Sequence, residues 1–216
     1  MNNINNIAID TQTTLLCSDV HTEHKKLEFL LESIRSDVSL KIFLGDALEK
    51  DKNPEKTLEI LNSFDLCISG NHDRESLARF GVNFSEKSLG ILSQFRHKFK
   101  RNNYLLVHSS PLGDKHVYEP SQTQEIFEKE DNADFIFAGH THVPQLFSIN
   151  KKTKKIDTHT FSKNNPVQII NLDSSEFRYF ITTPSLVNPR WGYSTGYMTL
   201  KHLSQTKKRL LLQYLN

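Results

Sequence analysis

The sequence is short of several features that would fix its class at once. Two cysteines in 216 residues, Cys17 and Cys67, each inside an apolar run, exclude a disulfide scaffold and read as buried thiols in a reducing compartment. No apolar stretch approaches the roughly 20 residues of a membrane helix; pieces such as Tyr104-Leu-Leu-Val107 are the longest. The opening Met-Asn-Asn-Ile-Asn-Asn has neither a positive n-region nor an apolar h-region, so no signal peptide is expected and the cytoplasm is. Neither sign of charge dominates: 27 Lys and Arg against 25 Asp and Glu leave +2, too little to imply nucleic acid or a membrane surface. Internal repeats and long linkers are absent too. The chain is expected to form one domain over residues 1–216, with 1–12 a loose N-terminal segment. What it does have is histidine, ten of them.

Short apolar runs alternate with helical patterns through the first two thirds. Thr14–Cys17, Lys41–Leu44, Asp65–Ile68, Tyr104–Val107 and Phe135–Ala138 read as buried strands. Between the first two, Leu27, Leu30, Leu31 and Ile34 recur at helical spacing behind Thr22 as N-cap. Asn53-Pro54 opens a second helix, and Ser121 caps another through about Lys129, with Glu125 four positions before Lys129. Further helices fit Asp73–Phe80 and Ser88–Phe95. Strand and helix in alternation predict an α/β fold. In the last third, short strands at Gln145–Ile149, Ile156–Phe161, Val167–Leu172, Tyr179–Ile181, Tyr197–Leu200 and Arg209–Tyr214 should complete the core as antiparallel partners. Lys151–Lys155 reads as a solvated hairpin tip.

Each of the five early strands is followed by chemistry. Ser18-Asp19-Val20-His21 follows the first, Gly45-Asp46 the second, Gly70-Asn71-His72-Asp73 the third, His108 the fourth and Gly139-His140-Thr141-His142 the fifth. Ligands of α/β sheets bind beyond the carboxyl ends of the strands, so at least seven N and O donors should reach one edge of one sheet. Glycine precedes three of the groups, where a tight turn lets backbone and ligand come close. Gly-Asp alone carries little weight; Gly-Asn-His-Asp and Gly-His-Thr-His, each after a strand, are specific. Imidazole with carboxylate suits Mn²⁺, Fe or Zn²⁺. Seven donors exceed one such ion but suit two that share a carboxylate, roughly 3.5–4 Å apart, clamping a phosphoryl group and generating hydroxide. Two divalent ions, two Asp ligands and one hydroxide leave about +1, which favours an anion.

Together these five motifs, in this order, resemble the calcineurin-like metallophosphoesterase superfamily from Leu15 to about Arg190. The resemblance implies a four-layer α/β (α+β) sandwich of two mixed β-sheets flanked by helices. It implies that Asp19, His21 and His142 hold one metal, that Asn71, His108 and His140 hold the other, and that Asp46 bridges both. His72 would protonate the leaving oxygen and Asp73 would orient it, with Asp46 completing the catalytic set. The implied cofactors are two divalent transition-metal ions, manganese first, with iron, zinc or nickel as alternatives. His108-Ser-Ser-Pro111 with Tyr118 is similar to small bacterial and archaeal phosphodiesterases and diadenosine-polyphosphatase-like members. Those relatives usually carry Asn-Pro-Gly-Ser and then Pro-Arg; here the corresponding stretch is Thr182-Thr-Pro-Ser185, a departure at the substrate edge, followed by Pro189-Arg190. The stretch between His142 and Thr182 also carries an added polar hairpin.

The expected activity is hydrolysis of a phosphodiester or nucleotide-like ester by attack of a metal-bridging hydroxide. Phosphomonoesters, phosphoproteins and diadenosine polyphosphates are the alternatives. Arg74 and Arg190 are candidates to grip a substrate phosphate. Lys115, His116 and Tyr118 lie in a loop that either lines the cleft or is solvated, and Trp191 and Phe177 are assigned to core or rim. His24, His97, His159 and His202 stand outside every motif. A retromer scaffold subunit also resembles these enzymes but acts as a binding module; missing ligands would mark such a chain, and all seven are present here. A nuclease would need a basic groove, for which Lys151–Lys155 and Lys207-Lys-Arg209 are the candidates. The expected partner is thus a small phosphate ester, with nucleic acid and membrane not expected and the oligomeric state open.

Overall fold

The computed structural model describes residues 7, 9, 11–49 and 52–215. The loose segment expected over residues 1–12 falls mostly outside them, although Ile7 and Ile9 are buried in the core. In chain order the elements are β1 (Thr14–Cys17), α1 (His24–Ser33), β2 (Leu40–Phe43), α2 (Glu55–Leu61), β3 (Leu66–Cys67) and α3 (Asn71–Phe80). Next come α4 (Glu86–Leu92), β4 (Lys98–Arg101), β5 (Tyr104–Val107), α5 (Pro120–Lys129) and β6 (Phe135–Ala138). The remainder is strand: β7 (Gln145–Asn150), β8 (Ile156–Thr160), β9 (Val167–Asp173), β10 (Phe177–Thr182), β11 (Gly196–His202) and β12 (Lys207–Tyr214). They form two mixed six-stranded sheets, ordered β3-β2-β1-β11-β12-β9 and β4-β5-β6-β10-β7-β8.

Four layers follow from strands that are apolar on both faces. β1, β5 and β6 are buried at every position, as continuous apolar runs covered on two sides must be. Successive side chains point to opposite faces, so Leu16, Ile42, Leu106 and Phe137 meet between the sheets. Leu15, Cys17 and Phe43 instead pack on Leu27, Leu30 and Leu58 of α1 and α2. On the other outer face, Leu105, Val107 and Ile136 pack on Ile126 and Phe127 of α5. Each fully buried side chain of this kind contributes about 1.5–3 kcal/mol. Both cysteines are free and buried, and burial pushes both thiols up.

The tail strands do complete the core, but they do so by dividing between the sheets. β11 inserts antiparallel beside β1, and β10 inserts parallel to β6 and antiparallel to β7. This separates the parallel set β1, β2 and β3 from the parallel pair β5 and β6. The motif-bearing strand ends therefore come from two sheets, not from one edge of one sheet as expected.

Local signals also shifted. Thr22 is not the N-cap of α1: its backbone is left-handed, φ 66°, and Glu23 takes the cap position. Ser121 lies inside α5, which starts at Pro120 behind Glu119, whose N–H donates to Gln122 Oε1 at 2.9 Å. β4 was unforeseen because Lys-Phe-Lys-Arg lacks apolar alternation; it is an edge strand, where charge is favoured.

Part of each candidate basic cluster is engaged within the protein. Lys151–Lys155 is the tip of the β7–β8 hairpin, with Lys151 paired to Asp134 at 2.6 Å and Lys155 to Asp157 at 2.7 Å. Lys208 is buried and donates to the carbonyls of Ser204 and Gln205 at 2.8 and 2.9 Å. Lys152, Lys154, Lys207 and Arg209 are exposed. Among the described residues, no helix is long and apolar enough to cross a membrane.

Candidate metal centre

The loops that leave β1, β2, β3, β5 and β6 lock onto one another through backbone. Asp19 N–H donates to Gly45 O at 2.9 Å, His21 N–H to Asp46 O at 3.1 Å and Gly139 N–H to His108 O at 2.8 Å. Within this frame Asp19, His21, Asp46, His140 and His142 all adopt left-handed backbone, with φ of 45–67°. Such conformations cost non-glycine residues about 1–3 kcal/mol each and persist where the surroundings over-determine them, characteristically at functional sites. Crowding explains the glycines. A Cβ on Gly70 would fall 2.0 Å from Asp46 Oδ1, and one on Gly139 would fall 2.9 Å from Asp19 Oδ2.

All seven expected metal ligands are brought together, in two groups. Donor atoms of Asp19, His21 and His142 lie within 4.8 Å of one another, as do those of Asp46, His108 and His140. Asn71, at the start of α3, joins the second group with Oδ1 3.1 Å from His108 Nε2. Asp46 reaches both groups, since its carboxylate is also within 4.8 Å of His21 and His72.

Hydrogen bonding on the far side of the rings sets what each can offer. His108 Nδ1 donates to Leu44 O at 2.7 Å, which turns Nε2 toward Asn71 Oδ1 and toward Asp46 Oδ2 at 3.2 Å. His142 Nδ1 donates to Asn188 O at 2.9 Å, which turns Nε2 toward Asp19 Oδ1 and His21 Nε2, both at 3.3 Å. Lone pairs and carboxylate oxygens thus converge, an arrangement that needs a cation among them. A proton can serve: burial lowers the His108 pKa, but the hydrogen bond and charge of Asp46 outweigh it and hold the group up at about 9. His142 is raised likewise, with Asp19 overcoming burial. Asp19 stays below the usual carboxylate range because His142 and His108 outweigh its own burial. His140 cannot take a proton as readily, since burial and the neighbouring His108 push it down to about 4. Its buried Nε2 has no hydrogen-bond partner. Imidazoles, carboxylates and one amide oxygen, with an orphaned nitrogen among them, suit first-row divalent ions.

One expected role is placed differently. Asp73 does not orient His72: its buried carboxylate accepts from the backbone N–H of Gly70, Leu48 and Asp46 at 2.8, 2.9 and 3.1 Å, tying the loops after β2 and β3. Burial and the nearby Asp46 charge push Asp73 up to about 6. The group beside the His72 ring is Glu49, whose Oε1 lies 3.5 Å from Nδ1 and whose Oε2 lies 3.1 Å from His21 Nδ1. No motif flagged Glu49; its only signal was a carboxylate three residues after Asp46. Arg74 pairs with Asp114 at 2.5 Å and donates to Ser69 O at 3.2 Å. Arg190 stays at the rim beside His116 and Tyr118. Of the loop after His108, Lys115 is solvated whereas the His116 ring stacks on that of His140 at 4.1 Å. Trp191 is on the rim and Phe177 packs against the core. His24 opens α1, and none of His24, His97, His159 and His202 enters the ligand groups.

The calcineurin-like phosphoesterase superfamily domain matches residues 13–161. No curated protein matches the chain. Among solved structures, a metallophosphoesterase from Sphaerobacter thermophilus is similar with a TM-score of 0.78 and 22% identity, over 95% of this chain and 89% of that one. A hypothetical protein from Pyrococcus horikoshii OT3 superposes with a TM-score of 0.63 at 10% identity, over 95% and 90% of the two chains. A protein proposed to be a diadenosine tetraphosphatase superposes with a TM-score of 0.53 at 16% identity, over 98% and 96%. At these identities the likeness is one of fold.

Proposed function

The chain belongs to the calcineurin-like phosphoesterase superfamily, and from that premise we propose that it is a two-metal hydrolase of a phosphodiester or nucleotide-like ester. The observation that carries the reading is the convergence of seven N and O side chains from two sheets, with the unpartnered Nε2 of His140 among them. Asp19, His21 and His142 would hold one ion, Asn71, His108 and His140 the other, and Asp46 would be shared. Manganese suits this donor set, with iron, zinc or nickel as alternatives. Bound there, two ions supply Lewis acidity toward phosphoryl oxygens and lower the pKa of water to near neutrality.

The chain's own groups do the rest. Buried Asp19 and Asp46 provide fixed negative charge, and the left-handed loops hold the donors in place before any ligand arrives. His72 is the proton donor to the leaving oxygen: its side chain is 33% exposed, against 8% or less for Asp19, His21, Asp46, His108 and His142. Glu49 beside Nδ1 at 3.5 Å orients the ring.

The test is hydrolysis of bis-p-nitrophenyl phosphate against p-nitrophenyl phosphate by chelated protein reloaded with Mn²⁺. Turnover of the diester is expected. Turnover of the monoester alone would move the assignment to a phosphomonoesterase. Silence on both with two ions bound would favour a dinucleoside polyphosphate, and silence with no ion bound would overturn the reading. Metal binding itself should show in stability. An ion at about 100 times its Kd stabilises the folded state by roughly 2.7 kcal/mol, so the melting temperature of chelated protein is expected to rise by about 5–10 °C on reloading. An unchanged melting temperature at millimolar Mn²⁺ would count against a resident metal.

A further inference from the structure

Trp191 is the chain's one tryptophan and is 55% exposed. Left in solvent, its ring forgoes most of the burial it could make, and its backbone is also left-handed, φ 54°. It is not a stray surface residue, because a row of rings joins it to the metal centre. The His116 ring stacks on His140 at 4.1 Å, Tyr118 stacks on His116 at 5.5 Å, and Trp191 lies 4.7 Å from Tyr118. The last pair is tilted by 41°, and with Tyr118 on it more than half of Trp191 still stays open to solvent.

The row is tied to the loop that carries two of the metal ligands. His142 Nδ1 donates to Asn188 O at 2.9 Å, Arg190 N–H donates to His142 O at 3.3 Å, and the Tyr118 hydroxyl donates to Thr141 O at 3.4 Å. Arg190 spans the row, its Nη1 donating to His116 Nε2 at 3.1 Å and to the Tyr118 oxygen at 3.0 Å. A guanidinium beside an open π face, both anchored to a centre suited to phosphate, fits a ligand with an anion at one end and a flat ring at the other.

We propose that Trp191, with Tyr118 and His116 behind it, is a stacking subsite for the nucleobase of a nucleoside phosphate whose phosphoryl group lies at the metal centre. The proposal rests on the phosphoesterase reading above and names its substrate class. An aliphatic phosphate would leave this shelf unused, whereas every nucleobase presents a π face to it.

Adenosine 5′-monophosphate and ribose 5-phosphate differ by the base alone and are the probes. Calorimetric titration into Mn²⁺-loaded full-length protein is expected to give tighter binding of the nucleotide by about 5- to 150-fold, the range for stacking one base. In Trp191→Ala the two ligands should bind alike, and in Trp191→Phe the preference should return. Because Trp191 is the sole tryptophan, its emission should quench saturably with the nucleotide and not with ribose 5-phosphate. Equal affinity of the two ligands in the wild type would overturn the subsite while leaving the phosphoesterase reading in place. A preference that survives in Trp191→Ala would do the same. Failure of both ligands and of inorganic phosphate to bind would overturn both.

Discussion

Asp46→Asn is expected to empty the metal centre of both ions together while leaving the protein folded. Asp46 is the carboxylate within reach of both donor groups, and it is 2% exposed. Asparagine keeps the shape and one carbonyl oxygen but removes the charge. Asp19 would then be the one carboxylate left among the seven donors, facing two divalent ions. Loss of a group one shell further out already costs about 10–100-fold in metal affinity, so losing a shared ligand should cost at least that at each ion. Turnover should fall with the metal. The fold should survive because the Asn Oδ1 can still accept the His72 N–H, which meets Asp46 Oδ1 at 2.9 Å. The burial cost of the Asp46 charge and its repulsion from Asp19 are relieved as well, which offsets the lost hydrogen bond and charge toward His108 at 3.2 Å. Chelated variant and chelated wild type should therefore melt within a few degrees of each other. Elemental analysis after dialysis decides the matter: two ions retained would refute a shared role, and one retained would assign Asp46 to a single site.

The cluster of donor side chains was legible in the sequence because each donor follows a continuous apolar run, and such runs are buried strands whatever sheet they join. Which sheet they join was not legible. Nothing local in Tyr104–Val107 or Phe135–Ala138 says that they pair with each other and with Phe177–Thr182 rather than with Thr14–Cys17. That choice is made by long-range pairing of the tail strands, and pairing partners leave no mark on periodicity. The two-sheet arrangement came from resemblance, not from the residues. Helix starts failed for a related reason. Thr22 has the composition of a cap, but the turn that aims His21 forces Thr22 into left-handed backbone as well, so site geometry overrode the capping preference.

Side-chain placements beyond the donor cluster were less legible still. Asp73 follows His72 directly, yet on a helix adjacent side chains point about a quarter-turn apart, and its carboxylate meets backbone amides of the loops it joins. Glu49 reaches His72 and His21 from a segment without regular structure, where no period predicts direction. The aromatic row depends on three distant segments meeting, 116–118, 140 and 190–191, and no spacing rule connects them.

His72→Ala should separate proton donation from metal binding. His72 is close enough to His21 and Asp46 to count as a third potential donor cluster, so a ligand role is the competing explanation. A proton donor matters in proportion to how poorly the leaving group bears charge. On a dinucleoside monophosphate, which expels a ribose alkoxide, the variant is expected to lose about 10²–10⁴ in kcat, the usual worth of general acid catalysis. On bis-p-nitrophenyl phosphate, whose leaving phenolate needs no proton, the loss should be at most about tenfold, and two ions should remain bound. Glu49→Gln should show the same leaving-group contrast in milder form, with weaker metal binding besides, because Glu49 meets both His72 Nδ1 and His21 Nδ1. Equal losses on both substrates with metal lost would make His72 a ligand. Equal losses with metal retained would point to positioning of the phosphoryl group instead. The leaving-group contrast is therefore the readout that a merely structural or ligating histidine would not produce.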